Sequence, residues 1–323
     1  MSSNPGVSII ICTWNRADSL RATLESLSAQ KACAGSDVEV IVVDNNSTDS
    51  TKQMVEQLMP TWHFGTLRYI FESRQGKQFA LNRGIDCSTH EILAFSDDDI
   101  IFAEDWTSEI IAIFTDESID LAGGKTLVTW PATGQPIWYH ASMSAVLGAV
   151  NLGDVRLVPA PKEYSPAGAN MITRQSLIRR VGGFSETHFR HMDFEFGMRS
   201  SRMKANIAYE PTLLVYAPVD GACLSKRYFR RWAFKAGITR DDAPATREAM
   251  FLGVPRWVYR QVVEDLLYLA FRSFGSAPAE NFSRELNAWR GFGKIASRWH
   301  EKLNPAAHGK WVEKYSQKKK NVY

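Results

Sequence analysis

Three consecutive aspartates, Asp97-Asp98-Asp99, close an apolar run that begins at Ile92. Like charges so placed repel one another unless a cation neutralises them. Oxygen-only ligands suit a hard divalent ion, Mn²⁺ or Mg²⁺, and magnesium typically takes one or two carboxylates and completes its shell with phosphate and water. That chemistry suggests a diphosphate substrate; taken alone, the cluster reads equally well as turn and helix-capping residues. Asp44 ends another apolar run and could accept from a base or ribose hydroxyl, while Arg74, Lys77 and Arg83 could face phosphate charge. Further on, Asp193 and Glu195 stand two apart at the start of a helical pattern, after Gly182-Gly183-Phe184. One of the pair could serve as general base and the other as a structural or acceptor-binding carboxylate. The alternative is two helix-N-terminal carboxylates meeting the dipole.

The elements that must position these residues alternate. Val7 to Cys12 reads as a strand rich in β-branched residues, and Leu20, Leu24 and Leu27 then recur at helical spacing. Val38 to Val43 is a second strand, Leu67 to Phe71 a third and Ile92 to Ser96 a fourth, with helices predicted around Met54 to Leu58 and Gln78 to Ile85. Strands alternating with helices predict a mostly parallel sheet with right-handed crossovers, which binds ligands beyond the carboxyl ends of its strands. Asp44 and Asp97 to Asp99 fall at such ends. Beyond them a helix is expected over Ile110 to Phe114, a strand region over Leu121 to Trp130, and a closing strand over Ile207 to Pro211. Residues 131 to 166 show no period and read as an irregular, substrate-facing segment. From Lys226 the chain is mainly helical, with an apolar stripe at Val258, Val262, Leu266 and Leu269.

The order of the motifs carries more than any one of them. Val7-Ser8-Ile9-Ile10-Ile11-Cys12-Thr13-Trp14-Asn15-Arg16, Val42-Val43-Asp44-Asn45-Asn46-Ser47-Thr48-Asp49, Ser96-Asp97-Asp98-Asp99, Gly182-Gly183-Phe184-Ser185-Glu186 and Asp193-Phe194-Glu195-Phe196 together resemble family 2 glycosyltransferases over about residues 7 to 235. The resemblance implies an α/β GT-A fold, Rossmann-like, whose mostly parallel sheet is flanked by helices, with a C-terminal helical extension. It implies a catalytic domain over 1–225, with a nucleotide-sugar half near 1–100 and an acceptor half near 101–225, followed by a basic, aromatic-rich helical region over 226–323. By the same resemblance Thr13, Asn15 and Asp44 would hold the base and ribose, and Arg74 and Lys77, with Asn82 close by, would lie along the nucleotide and its phosphates. Asp97 and Asp99 match a D-x-D pair, Asp97 nearer the ribose and Asp99 holding Mn²⁺ or Mg²⁺; Arg16 and Asp98 would be further nucleotide-sugar contacts, and Asp193 would be the base of an inverting transfer. Glu195, His191 and His188 are secondary candidates for acceptor or metal contact. Two departures from the family pattern stand out: Met192 where an acidic neighbour of the base is usual, and Ala217 where many relatives carry a histidine.

Charge and composition bound the remaining classes. The chain has 323 residues, 45% hydrophobic and 23% charged, enough to bury a core and incompatible with disorder. Four cysteines, Cys12, Cys33, Cys87 and Cys223, form no C-x-x-C pair, so neither a zinc cluster nor a disulfide framework is expected. No apolar run nears the roughly 18 residues of a membrane span. No secretory signal is visible at Met1 to Val7, so a cytoplasmic location is expected, with a peripheral place on the inner face of the plasma membrane as its extension. Residues 221 to 323 hold 20 Lys and Arg against 9 Asp and Glu, a net +11, against 18 and 26, a net −8, for residues 1 to 220. Lys226-Arg227-Tyr228-Phe229-Arg230-Arg231-Trp232 interleaves cations with aromatics; nothing else supports nucleic acid, an anionic membrane surface fits better, and an ordinary helical subdomain packed on the catalytic domain or on a second copy is an equal alternative. The expected partners are a nucleotide-sugar donor, UDP-linked, and a saccharide or lipid-linked saccharide acceptor in polysaccharide synthesis. A catalytically impaired sugar-nucleotide-binding or assembly protein is the alternative. A nucleotidyltransferase is disfavoured because Thr13-Trp14-Asn15-Arg16 stands where a Gly-rich phosphate loop would.

Overall fold

A computed structural model describes residues 5–31, 37–187, 191–239, 249–271 and 275–316. It divides into two compact units, one formed by residues 1–129 and 148–218 and the other by 130–147 and 219–323.

The first unit is a three-layer α/β structure. Its strands are β1 (Val7–Thr13), β2 (Val38–Asp44), β3 (Thr66–Phe71), β4 (Ile92–Asp97), β5 (Ile101–Phe102), β6 (Leu121–Thr129), β7 (Met171–Arg174) and β8 (Ile207–Pro218). They form one sheet in the order β3-β2-β1-β4-β7-β6-β8-β5. β3, β2, β1 and β4 run parallel, as do β6 and β8, while β7 and β5 pair antiparallel with their neighbours. The sheet is thus parallel from β3 to β4 and mixed beyond it. β1 and β2 are buried along their whole length, which is why their sequences run apolar without alternation.

The pleat sorts those residues between two cores. Ile9, Ile11, Val40 and Val42 meet Leu20, Leu24, Met54, Trp106 and Ile110 on one face. Ile10, Ile41 and Val43 meet Ala80, Leu81, Leu177 and Phe196 on the other. The helices of the first face are α1 (Ala17–Ser28), α2 (Thr51–Leu58) and α4 (Trp106–Ile113); those of the second are α3 (Lys77–Cys87), α5 (Gln175–Val181) and α6 (Met192–Arg202). Each fully buried Ile, Leu, Val or Phe contributes about 1.5–3 kcal/mol. Gly84 lets α3 lie close on the sheet, since a Cβ there would stand 2.4 Å from Ile10 Cγ2.

The strand order reverses between β1 and β4, because the chain grows outward from β1 through β2 and β3 and then returns to β1's other side. Such a switch point opens a crevice at the strands' carboxyl ends, where Thr13 to Arg16 and Asp97 to Asp99 emerge. β8 extends past Pro211, where the sequence suggested it would end. Its pairing with β6 shifts register between Gly123 and Lys125, and the proline falls in that irregularity, where no ladder N–H is required of it.

The second unit comprises α7 (Lys226–Thr239), the short strands β9 (Met250–Phe251) and β10 (Val254–Pro255), α8 (Arg256–Phe271), α9 (Pro278–Leu303) and α10 (Pro305–Ser316). Trp130 to Leu147 also belongs to this unit; its residues 131 to 147 fall in the segment expected to be irregular. Trp138 packs edge-on against Phe229 at 5.1 Å and Phe282 at 5.0 Å, so ring packing rather than helical period orders that segment. The stripe read on α8 also departs from expectation. Val258 and Val262 are buried, but the third inward position is Asp265, held by Arg284 at 3.2 Å, and Leu266 faces outward.

Candidate active site

Two loops at the carboxyl ends of β1 and β2 are tied to each other. Asn15 takes the left-handed conformation, φ 52°, which an asparagine tolerates better than most residues. In that conformation its Oδ1 accepts from the Thr48 N–H at 2.7 Å and its own N–H donates to Ser47 Oγ at 2.9 Å. Asp44, almost fully buried, accepts from the Ser47 N–H at 2.9 Å and from the Tyr69 hydroxyl at 2.6 Å. Burial and that bond to Asp44 push the Tyr69 phenol's pKa up, so it stays a donor. Beside them opens a hollow of about 470 Å³ lined by Asp44, Ser47, Thr48, Asp49, Lys52, Gln53, Tyr69 and Phe71.

The acidic cluster, which ends β4 at Asp97 and continues into a turn at Asp98 and Asp99, splits by direction. Asp98 turns inward: Thr13 Oγ1 donates to it at 2.8 Å and Arg16 at 3.2 Å. Burial first, and repulsion from Asp99 and Asp97, raise the Asp98 carboxyl's pKa against the pull of Arg16. Thr13 and Asp98, both expected to contact the nucleotide sugar, are thus fastened to each other and tie the end of β1 to the end of β4. Asp97 and Asp99 turn outward, with Lys77 paired to Asp97 and Arg16 to Asp99 at 2.5 Å. Burial of the Lys77 ammonium disfavours its charge, but Asp97, then Cys12 and Asp193, outweigh it and hold its pKa above the ordinary lysine range. The Lys77 side chain as a whole is 40% exposed.

On this lip Lys77 and Arg16 stand against Asp97 and Asp99, with the inward Asp98 as a third carboxylate behind them. Asp97 and Asp99 share a face and fit a hard divalent ion that takes one or two carboxylates and leaves its other positions to phosphate and water. Among the described residues no group of three or more His, Cys, Asp or Glu side chains is placed to hold a metal ion. Ala217, at the end of β8, packs against the apolar core and contributes no ligand. His188 lies outside the described residues.

Asp193 sits in the first turn of α6. Its Oδ2 accepts from the Gly168 N–H at 2.9 Å, its Oδ1 from the Phe194 N–H at 2.9 Å, and its carbonyl oxygen from Ser165 Oγ at 2.9 Å. The carboxylate is fixed in direction, and it is near enough to Lys77 to help set that lysine's charge. His191 precedes α6 in a left-handed conformation, φ 55°. Met192 is buried in the second core beside Phe196, so packing stands where an acidic neighbour would have brought repulsion.

Several candidates turn out to hold the frame. Glu195 forms a two-pronged pair with Arg199 at 2.8 and 2.9 Å, and Arg199 also donates to the carbonyls of Val181, Gly182 and Gly183 at 2.5, 3.0 and 2.7 Å. Asn82 brackets the same turn, bonded to the Phe184 N–H and C=O at 2.9 Å each, and a Cβ on Gly183 would lie 2.7 Å from its Oδ1. Arg74 is drawn onto Glu72 at 3.1 Å and Glu186 at 3.3 Å, and its hydrogen bonds are the main reason Glu72's pKa lies low. Three residues missed in the sequence complete this frame. Asn45 donates to the Arg74 carbonyl and accepts from the Gly76 N–H, both at 2.7 Å; Glu72 and Arg199 hold the two loops just described. Only Arg199 carried a signal, its four-residue spacing from Glu195.

The arrangement is a sheet-end crevice with the buried Asp44 carboxylate, an acidic lip paired with Lys77 and Arg16, and the oriented Asp193 carboxylate. The model of glycosyl transferase family 2 matches residues 8–182, more than half of the chain. The chain belongs to that family, and its first unit has the GT-A fold. Among curated relatives, glycosyltransferase AglE of Haloferax volcanii is 29% identical over 184 residues, 57% of this chain and 57% of AglE. The succinoglycan biosynthesis protein ExoM of Rhizobium meliloti is 26% identical over 254 residues, 75% of this chain and 78% of ExoM. The match to AglE thus spans little more than half of that relative's length. Two solved structures share the fold at 18% identity. One is the mannosyltransferase PcManGT from Pyrobaculum calidifontis in complex with GDP-Man and Mn²⁺, at TM-score 0.55 over 97% of this chain and 85% of that one. The other is S. aureus TarS 1-349 in complex with UDP, at 0.52 over 93% and 91%.

Proposed function

We propose that this protein is a metal-dependent inverting glycosyltransferase that moves a sugar from a nucleoside-diphosphate donor, UDP-linked, to a hydroxyl of a saccharide or lipid-linked saccharide acceptor. Polysaccharide synthesis at the inner face of the plasma membrane is its setting. The observation that carries the reading is Asp193: a carboxylate aimed by two backbone N–H groups and lying in the same electrostatic neighbourhood as Lys77 and Asp97.

In this reaction Asp193 takes the proton of the acceptor hydroxyl. The oxygen's electron pair forms a bond to the anomeric carbon from the face opposite the phosphate. The bond from that carbon to the phosphate oxygen breaks, and its electrons leave with the nucleoside diphosphate. The configuration inverts, and no covalent enzyme intermediate forms. Lys77 and Arg16 meet the negative charge that gathers on the leaving diphosphate. A divalent ion held at Asp99 and Asp97 would add Lewis-acid neutralisation of that charge. Asp44 and Asn15 hold the two loops that receive the nucleoside.

Calorimetric titration with UDP, GDP and dTDP, each with Mn²⁺ and with EDTA, tests the donor part. Metal-dependent binding of UDP above the other two is expected. Binding of none of them contradicts the reading, and UDP binding without turnover of any UDP-sugar favours a sugar-nucleotide-binding protein of the same fold.

A further inference from the structure

The outer face of α8 is apolar where a helix lying on a core is usually polar. Val263, Leu266, Leu267 and Phe271 fall on one stripe by helical spacing and are 44% to 77% exposed. Arg256 and Arg260 precede them on the same rows, seven and three residues before Val263, with Glu264 the one acid beside Arg260. At the amino end of α8 the turn between β9 and β10 holds Phe251 and Leu252 out in solvent, each about half exposed. Both turn residues have positive φ, 50° at Leu252 and 79° at Gly253. Asparagine or glycine would sit in the first position at lower cost, yet the turn carries a leucine. The Phe251 ring packs on Tyr259 at 5.7 Å, and Tyr259's hydroxyl accepts from Trp299 Nε1 at 3.0 Å, so turn, α8 and α9 present one continuous surface.

We propose that this surface docks onto an anionic lipid bilayer, with the turn tip and the α8 stripe entering the headgroup region and Arg256 and Arg260 meeting lipid phosphates. Apolar side chains beside cations and amphipathic aromatic rings are what such an interface takes up. No described helix is long and apolar enough to cross a membrane, so the contact is peripheral. A second copy is the poorer occupant, because self-docking sets a region of net charge +11 against itself. The proposal deepens the membrane part of the proposed function and stands apart from its catalytic part.

The test is cosedimentation of the full chain with vesicles of phosphatidylglycerol mixed with phosphatidylcholine, and of phosphatidylcholine alone. Salt-sensitive binding to the anionic vesicles is expected. Arg256→Gln with Arg260→Gln should weaken it about fivefold per residue, and Leu267→Gln with Phe271→Gln by about tenfold or more at any salt. Circular dichroism and thermal unfolding check that the variants fold. Equal binding to both vesicle types, no binding, or undiminished binding by the stripe variants overturns the proposal. So does a dimer, seen by sedimentation velocity, that the stripe variants dissociate while vesicle binding stays unchanged. A chain that binds UDP but no vesicle overturns this surface only; one that binds vesicles but no nucleotide overturns the catalytic reading only.

Discussion

Asp97, Asp98 and Asp99 show how adjacent, identical residues acquire different work from direction alone. Asp98 is buried against Thr13 and Arg16, whereas Asp97 and Asp99 remain on the open lip. Asp99→Ala is expected to weaken Mn²⁺-dependent UDP binding about tenfold and leave binding in EDTA unchanged, as read by calorimetry. Asp98→Ala is expected to act on folding instead, because it strips the partner from a buried Thr13 hydroxyl; a loss of about 1–3 kcal/mol in urea unfolding is predicted. Acid stability belongs to other carboxylates. Burial would raise Glu39, but hydrogen bonds from Ser8, Thr89 and Arg68 win and its pKa lies low. The Arg74 hydrogen bond likewise holds Glu72 low. A group whose pKa is lower in the folded state stabilises the fold at pH above its unfolded value, 4.5 for both, and that stability is lost as pH falls through the folded value. Thermal unfolding should therefore be flat from neutral pH to about pH 5 and decline below it, and Glu39→Gln should flatten the decline.

At the scale of elements, α6 and its neighbours form a frame around the Gly182-Gly183-Phe184 turn, closed by Arg199 on one side and Asn82 on the other. Arg199→Met leaves three carbonyls and Glu195 without their donor. A loss of about 2–3 kcal/mol in urea unfolding is expected, with transfer reduced as the turn loosens. β1, β2 and β4 were legible in the sequence because strands buried on both faces are mainly apolar, with few polar positions such as Ser8 and Glu39, and α1 and α3 because their one buried face repeats every three or four residues. β8 was legible only to Pro211, since the irregularity that tolerates the proline is made by its pairing with β6, far away in sequence. The acidic ends of β2 and β4 stood out for the same reason as the strands they terminate. Asn45 did not, because what it binds is mainly the backbone of a loop, and a carbonyl or N–H group leaves no mark on composition; nor did Glu72, whose partners are the N–H and guanidinium of Arg74 two residues on.

The whole molecule divides its labour by charge and by packing. The acidic first 220 residues carry the crevice, and the basic remainder, with Trp130 to Leu147, forms a helical unit built on aromatic rings. The segment 130–147 was illegible as part of that unit because it has no period; its rings find Phe229 and Phe282 across a long stretch of chain. Trp138→Ala is expected to destabilise that unit by about 3 kcal/mol, seen as lost hydrogen-exchange protection in α7 and α9 with β1 to β4 unaffected. Loss spread evenly over both units would contradict the division.

The measurement closest to the central claim is the rate of sugar transfer and the anomeric configuration of the product, followed by proton NMR, for the parent chain and for Asp193→Asn. The parent should yield a product inverted relative to the donor. Asp193→Asn should transfer about a hundred to ten thousand times more slowly while binding UDP as tightly as the parent. A retained configuration, or a variant that transfers near the parent rate, would contradict Asp193 as the base.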